Sequence, residues 1–134
     1  MHEGYCQCGR TRYAVRVDRF DDVAICHCTA CRRSTGGTHV TWATVPRSAF
    51  AWTAEKPAAF RSSEHATRYF CRHCGAQMAF ETTREPASLD LTVSTLAHPE
   101  LAAPDRHIWV GSRLPWIHLQ DGLPQEAGET PRAR

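Results

Sequence analysis

The sequence predicts a single all-β domain whose small antiparallel sheets are stapled together by metal ions. Apolar and polar residues alternate with period two in several short segments, and no segment keeps a helical period beyond two turns. Seven cysteines fall in tight clusters. At 134 residues the chain has the length of one domain with its own core, and no repeat or linker divides it.

The first predicted strand covers residues 10–17, because polar and apolar side chains alternate there. Residues 18–22 predict a turn. A short apolar run at residues 23–25 leads into a cysteine-rich loop over residues 26–37. Two consecutive glycines close this loop and give the backbone freedom before the next strand.

Beyond that loop, branched and aromatic residues predict a strand over residues 39–45. Pro46 opens one helical turn, and a short strand follows at residues 51–52. Residues 59–62 and 67–70 pair as a hairpin across a polar turn.

The outgoing strand after the last cysteine pair covers residues 76–81, and the clearest alternation in the chain predicts another strand over residues 89–95. Prolines then exclude a helix, and residues 107–110 form a last short strand. We therefore assign the domain to residues 1–124 and a polar, mobile tail to residues 125–134.

The cysteines are the candidate metal ligands. They form three clusters, Cys6-x-Cys8, Cys26-x-Cys28-x-x-Cys31 and Cys71-x-x-Cys74. This spacing is typical of thiolate ligands of zinc, whereas cysteines that serve as small core residues would be scattered. Cys-x-x-Cys-Gly after a strand is also the signature of a zinc knuckle.

Two ways of sharing the cysteines between metal ions are open. The favoured one has a closed structural site of Cys6, Cys8, Cys71 and Cys74 and a three-thiolate site of Cys26, Cys28 and Cys31. Joining the last cluster to two of the central cysteines would leave Cys6 and Cys8 as an incomplete pair of ligands, so this alternative ranks lower. Three protein ligands leave one position for water or substrate, as in a catalytic zinc site.

Charge and hydropathy restrict the partners. The formal net charge of +2 gives no reason to expect nucleic acid or an anionic membrane as a partner. The start of the sequence lacks the apolar run of a signal peptide, and no stretch approaches the roughly 20 apolar residues that span a bilayer. We expect a cytoplasmic protein, where reducing conditions favour metal ligation over disulfides. The oligomeric state is not predicted.

With their neighbours, the motifs resemble the glutathione-dependent formaldehyde-activating enzyme family, which includes the centromere protein V (CENP-V) domain. The matching elements are Gly4-x-Cys6-x-Cys8-Gly9, Cys26-His27-Cys28-x-x-Cys31-Arg32, Phe70-Cys71-x-x-Cys74-Gly75, and His107-Ile108-Trp109 with Ser112-x-x-Pro115-Trp116. They extend from Gly4 to about Pro124. The resemblance implies a β-tent fold with two zinc ions per chain, the structural ion on the four-thiolate site and the catalytic ion on Cys26, Cys28 and Cys31.

In the enzyme that names the family, the thiol of glutathione adds to formaldehyde, which is a carbon–sulfur lyase reaction read backwards. The resemblance thus implies a zinc-dependent carbon–sulfur lyase acting on a small thiol or aldehyde adduct, with glutathione as one candidate. A non-catalytic, zinc-stapled binding module is the alternative; it would have a closed second site, or an exposed apolar patch without a pocket. A thiol redox switch that releases zinc on oxidation is a third.

Arg32, Arg33 and Arg113 are candidates for binding substrate carboxylates, since a guanidinium binds a carboxylate bidentately. They could equally offset thiolate charge or remain solvated. Trp109 is a candidate substrate contact which, together with Trp42 and Trp116, could wall an apolar pocket, although core packing is an alternative role.

Three histidines have open roles. His27 lies between two ligands and is expected to point away from the metal, with proton transfer or support of the ligands as a minor alternative. His39 and His107 are candidates for a fourth ligand or a general acid, and a structural role is the alternative for both.

Overall fold

The computed structural model describes residues 1–131 and contains two β-sheets. The strands are β1 (His2–Tyr5), β2 (Arg12–Val15), β3 (Val23–Cys26), β4 (Val40–Pro46), β5 (Phe50–Trp52), β6 (Ala58–Arg61), β7 (Ala66–Phe70), β8 (Gln77–Thr82), β9 (Ser88–Thr92) and β10 (Arg106–Ile108). One α-helix, α1 (Thr29–Thr35), lies between β3 and β4. Short 3-10 turns cover Arg47–Ala49, Val93–Thr95, Pro99–Leu101 and Val110–Ser112.

The smaller sheet has the order β1-β2-β5, and the larger has the order β10-β3-β4-β9-β8-β7-β6. Strands β6 to β9 follow one another as antiparallel neighbours. The edge strand β10 is the exception to the antiparallel pattern, because it pairs with β3 in parallel. The predicted all-β fold in a single domain is thus confirmed.

The main core collects apolar side chains from both sheets. Tyr13 and Val15 of the small sheet are 1% and 0% exposed, and Leu89 and Leu91 of the large sheet are 1% and 0% exposed. These are the inward positions of two alternations read from the sequence. The core therefore covers one face of the large sheet, and its opposite face is available for another purpose.

The loop expected over residues 26–37 contains α1, so this part of the prediction was wrong. The sulfur of Cys28 accepts the Cys31 N–H at 3.2 Å as an N-cap, and Gly36 ends the helix with φ +73°. A helix of seven residues is too short to show a helical period in the sequence.

Several strands also differ from the expectation. The strand predicted over residues 89–95 ends at Thr92 and turns into a 3-10 segment, the strand predicted over residues 107–110 ends at Ile108, and β1 was not predicted. β1 is mostly polar and has one buried position, Gly4, where the backbone lies against the ring of Tyr13. Such a strand shows little apolar alternation.

Part of the segment expected to be a mobile tail lies along β10. The Glu126 N–H donates to the His107 carbonyl at 2.9 Å, and the Trp109 N–H donates to the Gly128 carbonyl at 2.9 Å. Residues 132–134 of that expected tail lie outside the described residues. Over residues 1–131, no helix is long and apolar enough to cross a membrane.

Candidate metal centre

Two turns bring together the cysteines of the first and last clusters. The four sulfur atoms of Cys6, Cys8, Cys71 and Cys74 lie within 4.8 Å of one another. The sulfur of Cys8 is 3.5 Å from that of Cys6 and 3.6 Å from that of Cys71. Sulfurs bound tetrahedrally to zinc at about 2.3 Å are about 3.8 Å apart, so these four thiols fit a zinc ion with little movement.

Both turns have the geometry of a zinc knuckle. Gly9 and Gly75 each have φ +78°, and their N–H groups donate to the carbonyls of Cys6 and Cys71 at 3.1 and 2.9 Å. Burial by itself raises the pKa of Cys71, yet that pKa is lowered to about 5 by the Thr11 hydroxyl and by nearby backbone N–H groups. At Cys71 the fold thus favours the thiolate form that a metal needs.

The second group consists of Cys26 at the end of β3, Cys28 at the N-cap of α1 and Cys31 within α1. The sulfurs of Cys26, Cys28 and Cys31 lie within 4.8 Å of one another, and those of Cys26 and Cys31 are 3.6 Å apart. Hydrogen bonds with Cys26 and Cys31 lower the pKa of Cys28 to about 2, and those with Cys28 and Cys31 raise the pKa of Cys26. The group can also hold a metal ion such as zinc, which would stabilise three thiolates together.

Within residues 1–131, no fourth histidine, cysteine or carboxylate completes this second group. Instead, all three cysteines line a cavity of about 250 Å³. The other lining residues are Asp22, Ala24, Trp42, Thr44, Arg68, Phe80, Asp90, Arg106, Ile108, Trp109 and Glu129. The open side of the three-thiol group therefore faces a cavity.

The cavity lies on the face of the large sheet that the main core leaves uncovered. Its lining residues alternate along the strands, as Ala24 and Cys26 on β3, Trp42 and Thr44 on β4, and Arg106 and Ile108 on β10. A cross-strand row continues the lining, because Arg68 is paired with Phe80, Phe80 with Asp90, and Asp90 with Thr44. One face of the sheet thus supplies the core and the other supplies the site.

Arg68 is a site residue that the sequence reasoning missed. It is 6% exposed, and its guanidinium nitrogens lie 3.7 and 3.9 Å from the sulfur of Cys31. One of them donates to the Ser34 hydroxyl at 3.1 Å, and the guanidinium carbon lies 5.0 Å from the centre of the Phe80 ring. The sequence shows only an arginine in a hairpin strand; the pairing across β7, β8 and β9 decides which face it occupies.

A chain of hydrogen bonds holds His27, which lies between Cys26 and Cys28 in the sequence. The Nε2 atom of His27 lies 2.9 Å from Nδ1 of His107, and Nε2 of His107 lies 2.7 Å from the Asp121 carboxylate. Both histidines are fully buried, and burial, followed by the charges of His107 and His39, lowers the pKa of His27 to about 4. As expected, His27 is directed to His107 and is not a member of the thiol group.

The other candidate residues are divided between the cavity and the surface. Trp109 lines the cavity and has a left-handed backbone, with φ +57°. Arg32, Arg33 and Arg113 are outside the lining within residues 1–131; Arg32 donates to the Thr29 hydroxyl at 3.3 Å, and Arg113 to the side chain of Gln125 at 3.1 Å. Their substrate roles stay predictions.

Comparison with known proteins adds a family match and a shared fold. Residues 1–112 match the family model described as glutathione-dependent formaldehyde-activating enzyme. A search of curated proteins found no match. The crystal structure of a Rhodobacter sphaeroides protein superposes with a TM-score of 0.60 at 22% identity, covering 92% of this chain and 98% of that one. At this identity the likeness shows a common fold.

Proposed function

The chain belongs to the glutathione-dependent formaldehyde-activating enzyme family, and we propose that it is a zinc-dependent enzyme of the carbon–sulfur lyase type. In this proposal it joins a small thiol to an aldehyde such as formaldehyde, or separates the adduct, and glutathione is one candidate thiol. It uses two zinc ions, a structural ion on the four-thiol group and a catalytic ion on Cys26, Cys28 and Cys31.

One observation carries the proposal. The three-thiol group lacks a fourth protein ligand within residues 1–131 and opens into the cavity. A closed structural site would need no cavity, whereas a catalytic site needs both a free position and room for substrate. A purely structural or binding role for this metal would leave the cavity beside it unexplained.

The reaction forms one carbon–sulfur bond. The sulfur lone pair adds to the aldehyde carbon, the carbonyl π pair moves to oxygen, and the proton lost by the thiol ends on that oxygen. Zinc bound to three thiolates supplies Lewis acidity, which favours the thiolate form of an entering thiol. The chain holds the three cysteines at the end of β3, at the N-cap of α1 and within α1, while Trp42 and Ile108 form an apolar part of the cavity wall.

Trp109, Arg32, Arg33 and Arg113 remain proposed substrate contacts, the arginines for carboxylates and Trp109 as an apolar wall. A cytoplasmic location is also part of the proposal. Its support is that all seven cysteines are unpaired and clustered for metal binding, which suits a reducing compartment.

The test measures exchange between a free thiol and its hydroxymethyl adduct by NMR, with ¹³C-formaldehyde and either glutathione or a smaller thiol. We expect the zinc-loaded protein to accelerate exchange above the spontaneous rate. Cys28→Ser should lose this acceleration, whereas Arg61→Gln, an exposed change on β6, should keep it. No acceleration by the protein with two bound zinc ions would refute the proposal and favour a zinc-stapled binding module.

A further inference from the structure

Within residues 1–131, the cavity beside the three-thiol group contains one arrangement suited to an anion. Its lining holds two cationic side chains within residues 1–131, Arg68 and Arg106. Arg106 is 2.9 Å from Asp22 and 3.0 Å from Asp105, so nearby carboxylates compensate its charge. In this part of the chain, Arg68 makes no ion pair with a carboxylate, and its contacts go to Cys31, Ser34 and the Phe80 ring.

Apart from Arg68, the charged lining residues within residues 1–131 are Arg106 and three carboxylates, so the rest of the lining has no excess of positive charge. Three carboxylates, those of Asp22, Asp90 and Glu129, border the same cavity. Asp90 is two strands away from Arg68 in the cross-strand row, with Phe80 between them, which places it about 10 Å away across the sheet. A negatively charged group would therefore bind at the Arg68 end, beside the cysteines.

We propose that Arg68 binds the carboxylate of the substrate and selects small thiols that carry a carboxylate near their sulfur. The proposal rests on the proposed function, since it requires that a thiol enters the open side of the three-cysteine group. A guanidinium binds a carboxylate through paired hydrogen bonds of about 2.8 Å. Packing on Phe80 and burial hold this guanidinium in place, so little side-chain entropy remains to be lost on binding.

The distances allow a short substrate. Arg68 lies 3.7 Å from the sulfur of Cys31, so a carboxylate oxygen bonded to it lies within about 7 Å of that sulfur. A thiol that enters beside Cys31 then needs only two or three bonds between its sulfur and its carboxylate. The cavity of about 250 Å³ agrees, because pockets for drug-sized ligands measure about 300–1,000 Å³.

The experiment compares two thiols that differ in the charged group. Calorimetric titration of the zinc-loaded protein with 3-mercaptopropionate and with 3-mercapto-1-propanol measures the two affinities. Absorption of the cobalt-substituted protein shows whether the thiol sulfur enters the metal site. We expect the carboxylate to bind at least about tenfold more tightly, as a charge-assisted pair allows, and both thiols to change the cobalt spectrum.

Variants then show whether Arg68 causes the preference for the thiol with a carboxylate. Arg68→Gln should abolish it, and Arg68→Lys should keep a part of it, because a point charge cannot form the paired bonds. Arg61→Gln should leave it unchanged. A guanidinium that only offset thiolate charge would affect both thiols alike, so an equal loss for both in Arg68→Gln would overturn the proposal. If Arg68→Gln does not fold, the ratio of the two affinities in the wild-type protein and in Arg68→Lys tests the proposal instead.

The outcomes separate this inference from the proposed function. Equal affinities in the wild-type protein, with cobalt spectra changed by both thiols, would overturn the role of Arg68 and leave the thiol chemistry in place. Cobalt spectra that neither thiol changes would refute thiol entry, and with it both proposals.

Discussion

Replacing one cysteine in each metal group should have opposite consequences for stability and activity. Cys71→Ser removes a ligand that is fully buried in the main core. Structural zinc sites contribute about 10–16 kcal/mol of apparent binding free energy, which is as large as the whole stability of a domain, about 5–15 kcal/mol. We expect Cys71→Ser to unfold the protein.

Cys28→Ser should leave the fold in place. The serine hydroxyl can accept the Cys31 N–H in place of the sulfur, which now does so at 3.2 Å, and serine is a preferred N-cap. The loss should therefore be below about 1 kcal/mol for the helix cap, or roughly 4 °C in melting temperature. Cys28→Ala, which lacks a cap, is the matched control and should lose about 1 kcal/mol more.

The separation of the ligands along the chain gives a second reason for the difference. Cys8 and Cys71 are 63 residues apart, whereas Cys26 and Cys31 are 5 apart. Closing these loops costs an entropy equivalent of about 3.7 and about 1.4 kcal/mol. The unfolded chain can thus bind a metal through the three nearby thiols, so that metal stabilises the folded state less.

Zinc content per chain and thermal unfolding followed by circular dichroism test the difference. Cys28→Ser should melt cooperatively with one zinc ion and no exchange activity, and Cys71→Ser should show no cooperative transition. Equal destabilisation by the two changes would refute the division into a structural and a catalytic site.

Three further predictions concern stability and metal retention. Gly4→Ala should lower the free energy of unfolding in urea by about 1–3 kcal/mol, because a Cβ there would clash with the buried Tyr13 ring. At Gly128 a Cβ would meet its nearest neighbour at an ordinary 3.6 Å, so Gly128→Ala should be neutral. Equal effects of the two changes would contradict this interpretation. Arg106→Gln should lower the free energy of unfolding by about 3 kcal/mol, since Arg106 is 3% exposed and faces several carboxylates. Arg19→Gln, in an exposed ion pair, should change it by no more than about 0.5 kcal/mol. Similar losses of stability in the two variants would show that burial does not decide the effect. Titration with a chelator should remove the ion of the three-thiol group first, while the protein stays folded. Metal analysis during the titration would contradict this if both ions were released together as the protein unfolds.

The sequence led to the strand pattern and the cysteine clusters because both depend on short spacings. The alternation at Tyr13 and Val15 and the knuckles that end in Gly9 and Gly75 are local features that a few residues define. The helix α1 was not predicted because the residues that cap it, Cys28 and Gly36, are also typical of a metal-binding loop. His107 stood out as a histidine, but its partners His27 and Asp121 are distant in the chain.

The sequence by itself therefore determined the all-β class, the family and the three cysteine clusters, since thiol spacing and period-two alternation are encoded within about ten residues. Only the tertiary structure decided that the first and last cysteine clusters form one group and that the three-thiol group opens into a cavity. Within residues 1–131, Arg68 and Trp109 line this cavity, whereas Arg32, Arg33 and Arg113 do not. The order of strands in the large sheet decides which side chains share its open face. That order results from long-range pairing, which no local pattern specifies.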